Sequence, residues 1–398
     1  MCKHIVLSLL LFCSFSGLAK LEELPKEFAD FSLNRDIKVS YDDLDKLLSL
    51  TVIDMGKSNR NKLKSQSSIG TRMKSHKNND TALEANRFFF EEVTQSELKS
   101  GFNKIRRSLE SLPDEISLNE LSLDEQLAYW LNLYNTAMVE KLIEHYPIRN
   151  TEDLLFGEAS ILKDEFLTVA GHKLSLHDIQ HNIVFKKFGE KKPIVMYGFY
   201  QGNIGSPNLR PEAYKGSKVY HQLVDNGEEF VNSNRGLMIK RKNRLYVSKY
   251  YDQTKTLFDN FETDLHEHLA DYAEPPINYD VKNAKRFKVD IENWDITDIY
   301  GTSRQFGAAN STNPAAMLNA AVSNADGQAV GAIGSTSQGE GSGLGAVNLG
   351  FISNSIAERS IDFGRFSPEM IEKIKTLKMK KMDNSGRVEI QDLADKEQ

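Results

Sequence analysis

The run "GNIGSPNLRPEAY", residues 202–214, sets a serine between turn formers and follows it with an arginine, a glutamate and a tyrosine. A serine hydroxyl becomes a nucleophile only beside a base, because the free alcohol is far too basic at neutral pH. His181 is the candidate base for Ser206, and Asp178 or Glu212 could orient it. Backbone N–H groups at Gly202 and Gly205 could stabilise an oxyanion. The run departs from the strand-turn-helix Gly-x-Ser-x-Gly elbow of hydrolases, and Gly-Ser-Pro also occurs in ordinary turns.

A second motif, "HDIQH" at residues 177–181, puts two imidazoles at i and i+4, on one face of a helix. Zinc hydrolases use that spacing with a glutamate after the first histidine. Here Asp178 occupies the place and the spacing identifies no third ligand, so no metal is expected. Near the end, "KMDNSGRVEIQD" aligns Asp383, Ser385, Gly386 and Asp392 with a calcium-binding loop. Lys381 would then stand where the first oxygen ligand is needed, and calcium is not expected. No cofactor is implied.

The elements that position these residues follow from periodicity. "SLDEQLAYWLNLYNTAMVEKLIEHYP" is a strong helix: Ser122 and Glu125 form a capping box, and Pro147 ends it. Leu127, Trp130, Leu131, Tyr134, Met138, Leu142 and Ile143 give it a wide apolar face, so it should be central and buried. Asn132 and Asn135 lie within it, where an amide is expensive to bury alone; each either fastens a neighbouring backbone or lines a site. Residues 41–55 read as an amphipathic helix. Thr94 and Glu97 suggest a capping box for another, in which Leu98, Phe102, Ile105 and Leu109 share a face.

"FLTVAGHKLSL" is a hairpin turning at Ala170-Gly171, and Ser175 caps the helix through "LHDIQHNIVFKKF". "KPIVMYGFY", β-branched and aromatic, reads as a buried strand leading into the serine loop, and Pro211 suits the first turn of a helix after it. "GLMIKRKNRLYVSKY" is a second hairpin, turning near residues 242–243. "QTKTLFDNFETDLHEHLADY" is a helix, and "RFKVDIENWDIT" a last strand. The expectation is an α+β fold: helices around a small, mostly antiparallel sheet built from the two hairpins and "KPIVMYGFY".

The chain of 398 residues suggests one main domain with appendages. Residues 1–19 have the pattern of a signal peptide, with a basic start, an apolar run over residues 5–15 and small residues before a cleavage point after Ala19. Export to the periplasm or beyond is expected, with no further membrane-spanning segment. Both cysteines, Cys2 and Cys13, fall inside the leader, so the mature chain would have no disulfide, thiol nucleophile or zinc-thiolate site. The net charge of −6 leaves no basic footprint for nucleic acid. The domain proper spans 20–299 and contains a basic polar loop at 57–79. A Gly/Ala/Ser-rich stretch at 300–360 reads as a mobile linker, and 361–398 as a short helical tail capped by Ser367.

Four separated motifs, "LSLDEQLAYWLNLYNTAMVEKLIEHYP", "LSLHDIQH", "SPNLRPEAY" and "YVSKYYD", together with the lead-in "GTRMKSHKNNDTALEANRFFFEE", resemble the domain of unknown function 547 family in its bacterial, exported members. The resemblance covers about residues 41–298. It maps Trp130, Asn132, Tyr134, Asn135, His181, Pro207, Leu209, Arg210, Tyr214 and Tyr250 onto the family's signature positions. Members commonly carry cysteines where this sequence has Gln201 and Ser206, and a glutamate where it has Gln180. Any thiol-dependent activity of the family would be lost here, or moved to Ser206.

Two functions follow as expectations. The first is a cell-envelope binding or scaffold protein holding a peptide, glycan or protein partner through Asn132, Tyr134, Asn135, Asn203, Arg210, Glu212, Tyr214 and Tyr250. The second is a serine-dependent hydrolase or acyl transferase using Ser206, His181 and Asp178.

Overall fold

The computed structural model describes residues 24–299, apart from 34, 61–80, 82–83, 97, 190–191, 241–243 and 276. The expected leader, most of the basic loop, the Gly/Ala/Ser-rich stretch, the C-terminal helix and the calcium-like end therefore lie outside the described residues.

Two helices, α1 (Lys26–Ala29) and α2 (Asp42–Thr51), precede a two-residue antiparallel pairing of β1 (Val52–Ile53) with β2 (Arg87–Phe88). Next come α3 (Phe90–Gln95) and α4 (Leu98–Glu115). Thr94 is not the expected cap: it lies in the last turn of α3, where its hydroxyl donates to the Phe90 carbonyl. Ser96 lies at the junction instead, its Oγ accepting from the Leu98 N–H at 3.3 Å.

The centre of the molecule is α5 (Leu123–His145), and Ser122 caps it as the sequence indicates, accepting the Glu125 N–H. Its wide apolar face predicts a central place, and α5 is buried without interruption from Glu125 through Glu140, its polar residues included. After α6 (Glu152–Phe156), strands β3 (Leu167–Val169) and β4 (His172–Leu174) form the expected hairpin. Ala170 and Gly171 both take positive φ, as a tight right-twisting hairpin turn requires. Ser175 and Asp178 then start a wide helix of i→i+5 type, Asp178–Gly189.

The run expected to be a buried strand is a 3₁₀ helix, Pro193–Gly198. Every residue of 194–198 is buried, and burial on all sides selects large apolar side chains in a helix as readily as in a strand. It packs against α7 (Val219–Val231) and pairs with no strand. Residues 209–215 do not begin a helix at Pro211; helical structure resumes only at Gly216–Lys218, leading into α7.

Beyond α7, β5 (Leu237–Lys240) and β6 (Arg244–Ser248) make the second hairpin. The following segment divides into a 3₁₀ helix, Lys249–Leu257, and α8 (Phe261–Tyr272), and then α9 (Ile277–Lys282) leads to β7 (Arg286–Ile291). β7 joins β6 in parallel. The class is α+β with mostly antiparallel pairing, as expected. The two hairpins do not share a sheet, however: β3-β4 stands alone and β5-β6-β7 is separate.

Candidate functional site

Residues 198–214 thread between α5 and α7, and three asparagines hold them. Asn135 of α5 donates to the Gly198 carbonyl (2.8 Å) and accepts the Tyr200 N–H (3.0 Å). One turn earlier, Asn132 donates to the Tyr214 carbonyl (2.8 Å) and accepts its N–H (2.9 Å). From α7, Asn226 donates to the carbonyls of Tyr197 (2.9 Å) and Asn208 (3.0 Å). These carboxamides take the place of a neighbouring strand and satisfy main-chain groups that burial would otherwise leave unpaired. Asn132 and Asn135 thus fasten the loop.

The other side of the loop lies against residues 293–297. Gly205 N–H donates to the Asn293 carbonyl (2.8 Å), Ile204 N–H to that of Asp295 (2.9 Å), and Thr297 N–H to that of Gly202 (2.9 Å). Gly202 needs its positive φ of 81°, and a Cβ there would come within 2.5 Å of Leu142. Behind the loop, the fully buried Arg235 donates to the Ser206 carbonyl (2.7 Å) and pairs with Glu229. Burial is the first influence on the Glu229 carboxyl and raises it to about 7, against the opposing pull of Arg235.

The expected catalytic group does not assemble as a hydrogen-bonded chain. Ser206 is 1 % exposed. Its Oγ donates to the Asn203 carbonyl (2.9 Å) and accepts the Gln201 N–H (3.2 Å), and it shares no hydrogen bond with His181. The Gly205 N–H, wanted for an oxyanion, is already bonded to Asn293. Asp178 holds the Ser175 N–H and hydroxyl and the Asn182 amide, so it orients the start of its helix and not the imidazole. His181 stacks on His177 with ring centroids 4.5 Å apart. Burial first, then His177, lowers its pKa to about 4, so it is neutral at physiological pH. Among the described residues no group of three or more His, Cys, Asp or Glu could hold a metal ion.

Other sequence-selected residues are also occupied within the fold. Arg210 donates to the Gln222 carbonyl (2.9 Å) and to Glu212 (2.9 Å). Burial would raise the Glu212 carboxyl, but hydrogen bonds from Lys218, Arg210 and Gln222 bring it down to about 2. Tyr214 accepts a long bond from Asn226 (3.4 Å), and Tyr250 donates to the Met196 carbonyl.

Between the loop and the segment after β7 lies a small recess of about 10 Å³, room for about one water-sized group. Gln201, Asn203 and Gly205 line it from the loop, and Ser248, Tyr250 and Gln253 from the floor. Ile291 to Trp294 close the far wall. Gln201 and Gln253 exchange amide hydrogen bonds (2.5 and 3.2 Å). Asn203 Oδ1 and Trp294 Nε1 are buried and have no hydrogen-bond partner among the described residues. Deeper in, Tyr134 donates to Gln180 Oε1 at 3.5 Å, and Gln180 Nε2 also lacks a partner. The lining thus combines carboxamides and an indole with the Ser248 and Tyr250 hydroxyls and the charged Lys249 and Glu292.

Residues 118–231 match a family model described as "Protein of unknown function, DUF547". That segment is similar to the DUF547 family. It contains α5, the histidine pair, the asparagine-held loop and α7. No curated protein and no solved structure matches the chain. The recess straddles the domain's edge: Gln201, Asn203 and Gly205 come from the DUF547 segment, whereas Gln253 and Trp294 lie beyond it. Sequence reasoning selected Asn203 and Tyr250 but missed Gln253 and Trp294. The one available signal was a tryptophan set among polar residues in "ENWDIT".

Proposed function

We propose that the protein is an exported binding protein of the cell envelope, and that the recess beside the asparagine-held loop is where it takes a neutral, hydrogen-bonding ligand. One observation supports the reading: Asn203 and Trp294, two residues that line one recess, each bury a polar side-chain atom that has no partner among the described residues. An unpaired buried polar group costs about 1–3 kcal/mol, so a ligand supplying both complements gains what folding leaves unmet. The leader-like residues 1–19 support export. The serine-hydrolase alternative has less support, because the Ser206 hydroxyl already bonds two main-chain groups of its own loop.

The chain has two tryptophans, and Trp130 is wholly buried, so the indole N–H signal of Trp294 is a specific reporter. A panel of small neutral amides, sugars and short peptides titrated into ¹⁵N-labelled protein is expected to move that signal for at least one class. A panel that leaves it unmoved refutes the binding reading. Export is tested by the mass of the protein recovered outside the cytoplasm, expected to begin at Lys20.

A further inference from the structure

We propose that the outer face of the β5-β6-β7 sheet is an electrostatic docking surface for a bilayer rich in anionic phospholipid. Strand alternation divides the sheet into two unlike faces. Leu237, Leu245 and Val247 are buried, and Ile239, Phe287 and Val289 pack against the core beside them. The opposite face carries Met238, Lys240, Arg244, Tyr246, Arg286 and Lys288.

The register sets these cations against one another. Lys240 stands opposite Arg244, and Arg244 opposite Arg286, so three positive charges form one cross-strand row. In the next row Tyr246 lies between Met238 and Lys288. The Arg244 guanidinium donates to the Tyr246 hydroxyl (3.2 Å), and the ammonium groups of Lys240 and Lys288 lie 5.0 and 6.0 Å from its ring centre. Like charges directly opposite destabilise a sheet. Among the described residues Lys240, Arg244 and Arg286 make no ion pair, and Lys288 makes one, with Asp290 at 2.7 Å. Folding gains little from such a row, and an external array of anions would relieve its repulsion.

The shape of the surface selects among anions. An open sheet face does not enclose a small ligand as a cleft would. A nucleic acid would run past so small a patch onto the rest of a chain whose net charge is −6. A bilayer meets the protein at one tangent face and offers phosphates in a plane, matching cations in a plane. The lead-in to β7 adds to the same end of the sheet, since Lys282 and Lys285 are exposed just before Arg286. Tyr279, one turn before Lys282, is 74 % exposed, and tyrosine is enriched where proteins meet the head-group layer. The inference rests on neither the recess nor export.

The full chain is sedimented with vesicles of phosphatidylcholine alone or mixed with phosphatidylglycerol. Wild type is expected to prefer the anionic vesicles and to lose that preference at high ionic strength. The variant K240Q/R244Q/R286Q is expected to bind them at least about tenfold more weakly. The apolar run at residues 5–15 and the basic residues of 57–79 are common to wild type and variant, so the difference reports the sheet face. K62Q/K64Q/K74Q removes the same charge elsewhere and is expected to bind within about threefold of wild type. Should the triple variant unfold in urea more readily than wild type, R286Q alone decides, because Arg286 is exposed and is expected to show a loss of about fivefold. Equal binding to both vesicle types, or equal losses in the two triple variants, would overturn the proposal. So would displacement of the vesicles by inorganic phosphate at constant ionic strength, which would indicate a free-anion site, or preferential binding of single-stranded DNA, which would indicate a nucleic-acid face.

Discussion

The carboxamide of Asn132 and the main chain of Tyr214 form a closed ring of two hydrogen bonds, one donated and one accepted. Asn132 is 2 % exposed, so water cannot replace either bond if the amide is removed. Asn132→Leu is expected to lower unfolding free energy by about 2–5 kcal/mol, because it strands a buried N–H and a buried C=O together. Asn135→Leu should behave alike through Gly198 and Tyr200. Urea unfolding checks both, and a loss below 1 kcal/mol, roughly that of one ordinary hydrogen bond, would refute the clamp.

Ser206 makes a contrasting case, since its type suggested chemistry and its partners describe a pin. Its hydroxyl joins the Gln201 N–H to the Asn203 carbonyl within the same turn. Ser206→Ala is expected to destabilise by about 1–3 kcal/mol, the penalty for leaving buried main-chain groups unmet. The wild-type protein should not react with a fluorophosphonate probe. Labelling that both Ser206→Ala and His181→Ala abolish in folded protein would restore the nucleophile.

These residues show what the sequence could and could not convey. Local signals were legible: the Ser122–Glu125 cap, the Ala170-Gly171 turn and the wide apolar face of α5 each act within a few residues. The strand expected at "KPIVMYGFY" failed because full burial erases the alternation that separates strand from helix. The asparagine clamps bridge 82 and 63 residues to main-chain atoms, which have no sequence signature. Gln253 and Trp294 were hidden for the same reason, because they become site residues only when the segment after β7 comes to lie beside the loop.

His268 gives the stability a defined pH dependence. It is packed against the rings of Phe258 and Tyr272 and bonded to the Tyr197 hydroxyl, and burial lowers its pKa to about 4. The unfolded chain, with a histidine pKa near 6.5, binds the proton first, so this contribution is lost as pH falls from about 6.5 to 4. The loss amounts to roughly 2–3 kcal/mol over that window. His181 acts with the same sign, whereas the Glu229 carboxyl, raised to about 7 chiefly by burial, adds stability over about pH 7 to 4.5. The clean measurement is therefore the difference between wild type and His268→Phe. The variant is expected to lose less stability than wild type between pH 6.5 and 4.5, and parallel curves would refute the assignment.

The DUF547 match covers residues 118–231, but the loop at its centre is completed from outside that range. Asn86 donates its N–H to Asn208 Oδ1 (2.9 Å) and its amide to the Leu209 carbonyl (2.9 Å). Arg235 reaches the Ser206 carbonyl, and Asn293 takes the Gly205 N–H. Glu84 binds the N–H groups of Asn234 and Arg235 (both 2.8 Å) and so fixes the arginine's approach. On the far face Phe28 packs edge-on against Trp130 at 5.1 Å. Cutting at 118 and 231 would expose that apolar surface and strand these buried groups at once, several penalties of about 1–3 kcal/mol each against a net stability of only about 5–15 kcal/mol. A polypeptide of residues 118–231 is therefore expected to show collapsed amide dispersion by NMR, while residues 24–299 give a dispersed spectrum. A dispersed spectrum from the short fragment would mean that the loop holds its shape without Arg235 and Asn293, and that the recess is an accessory to a self-sufficient domain.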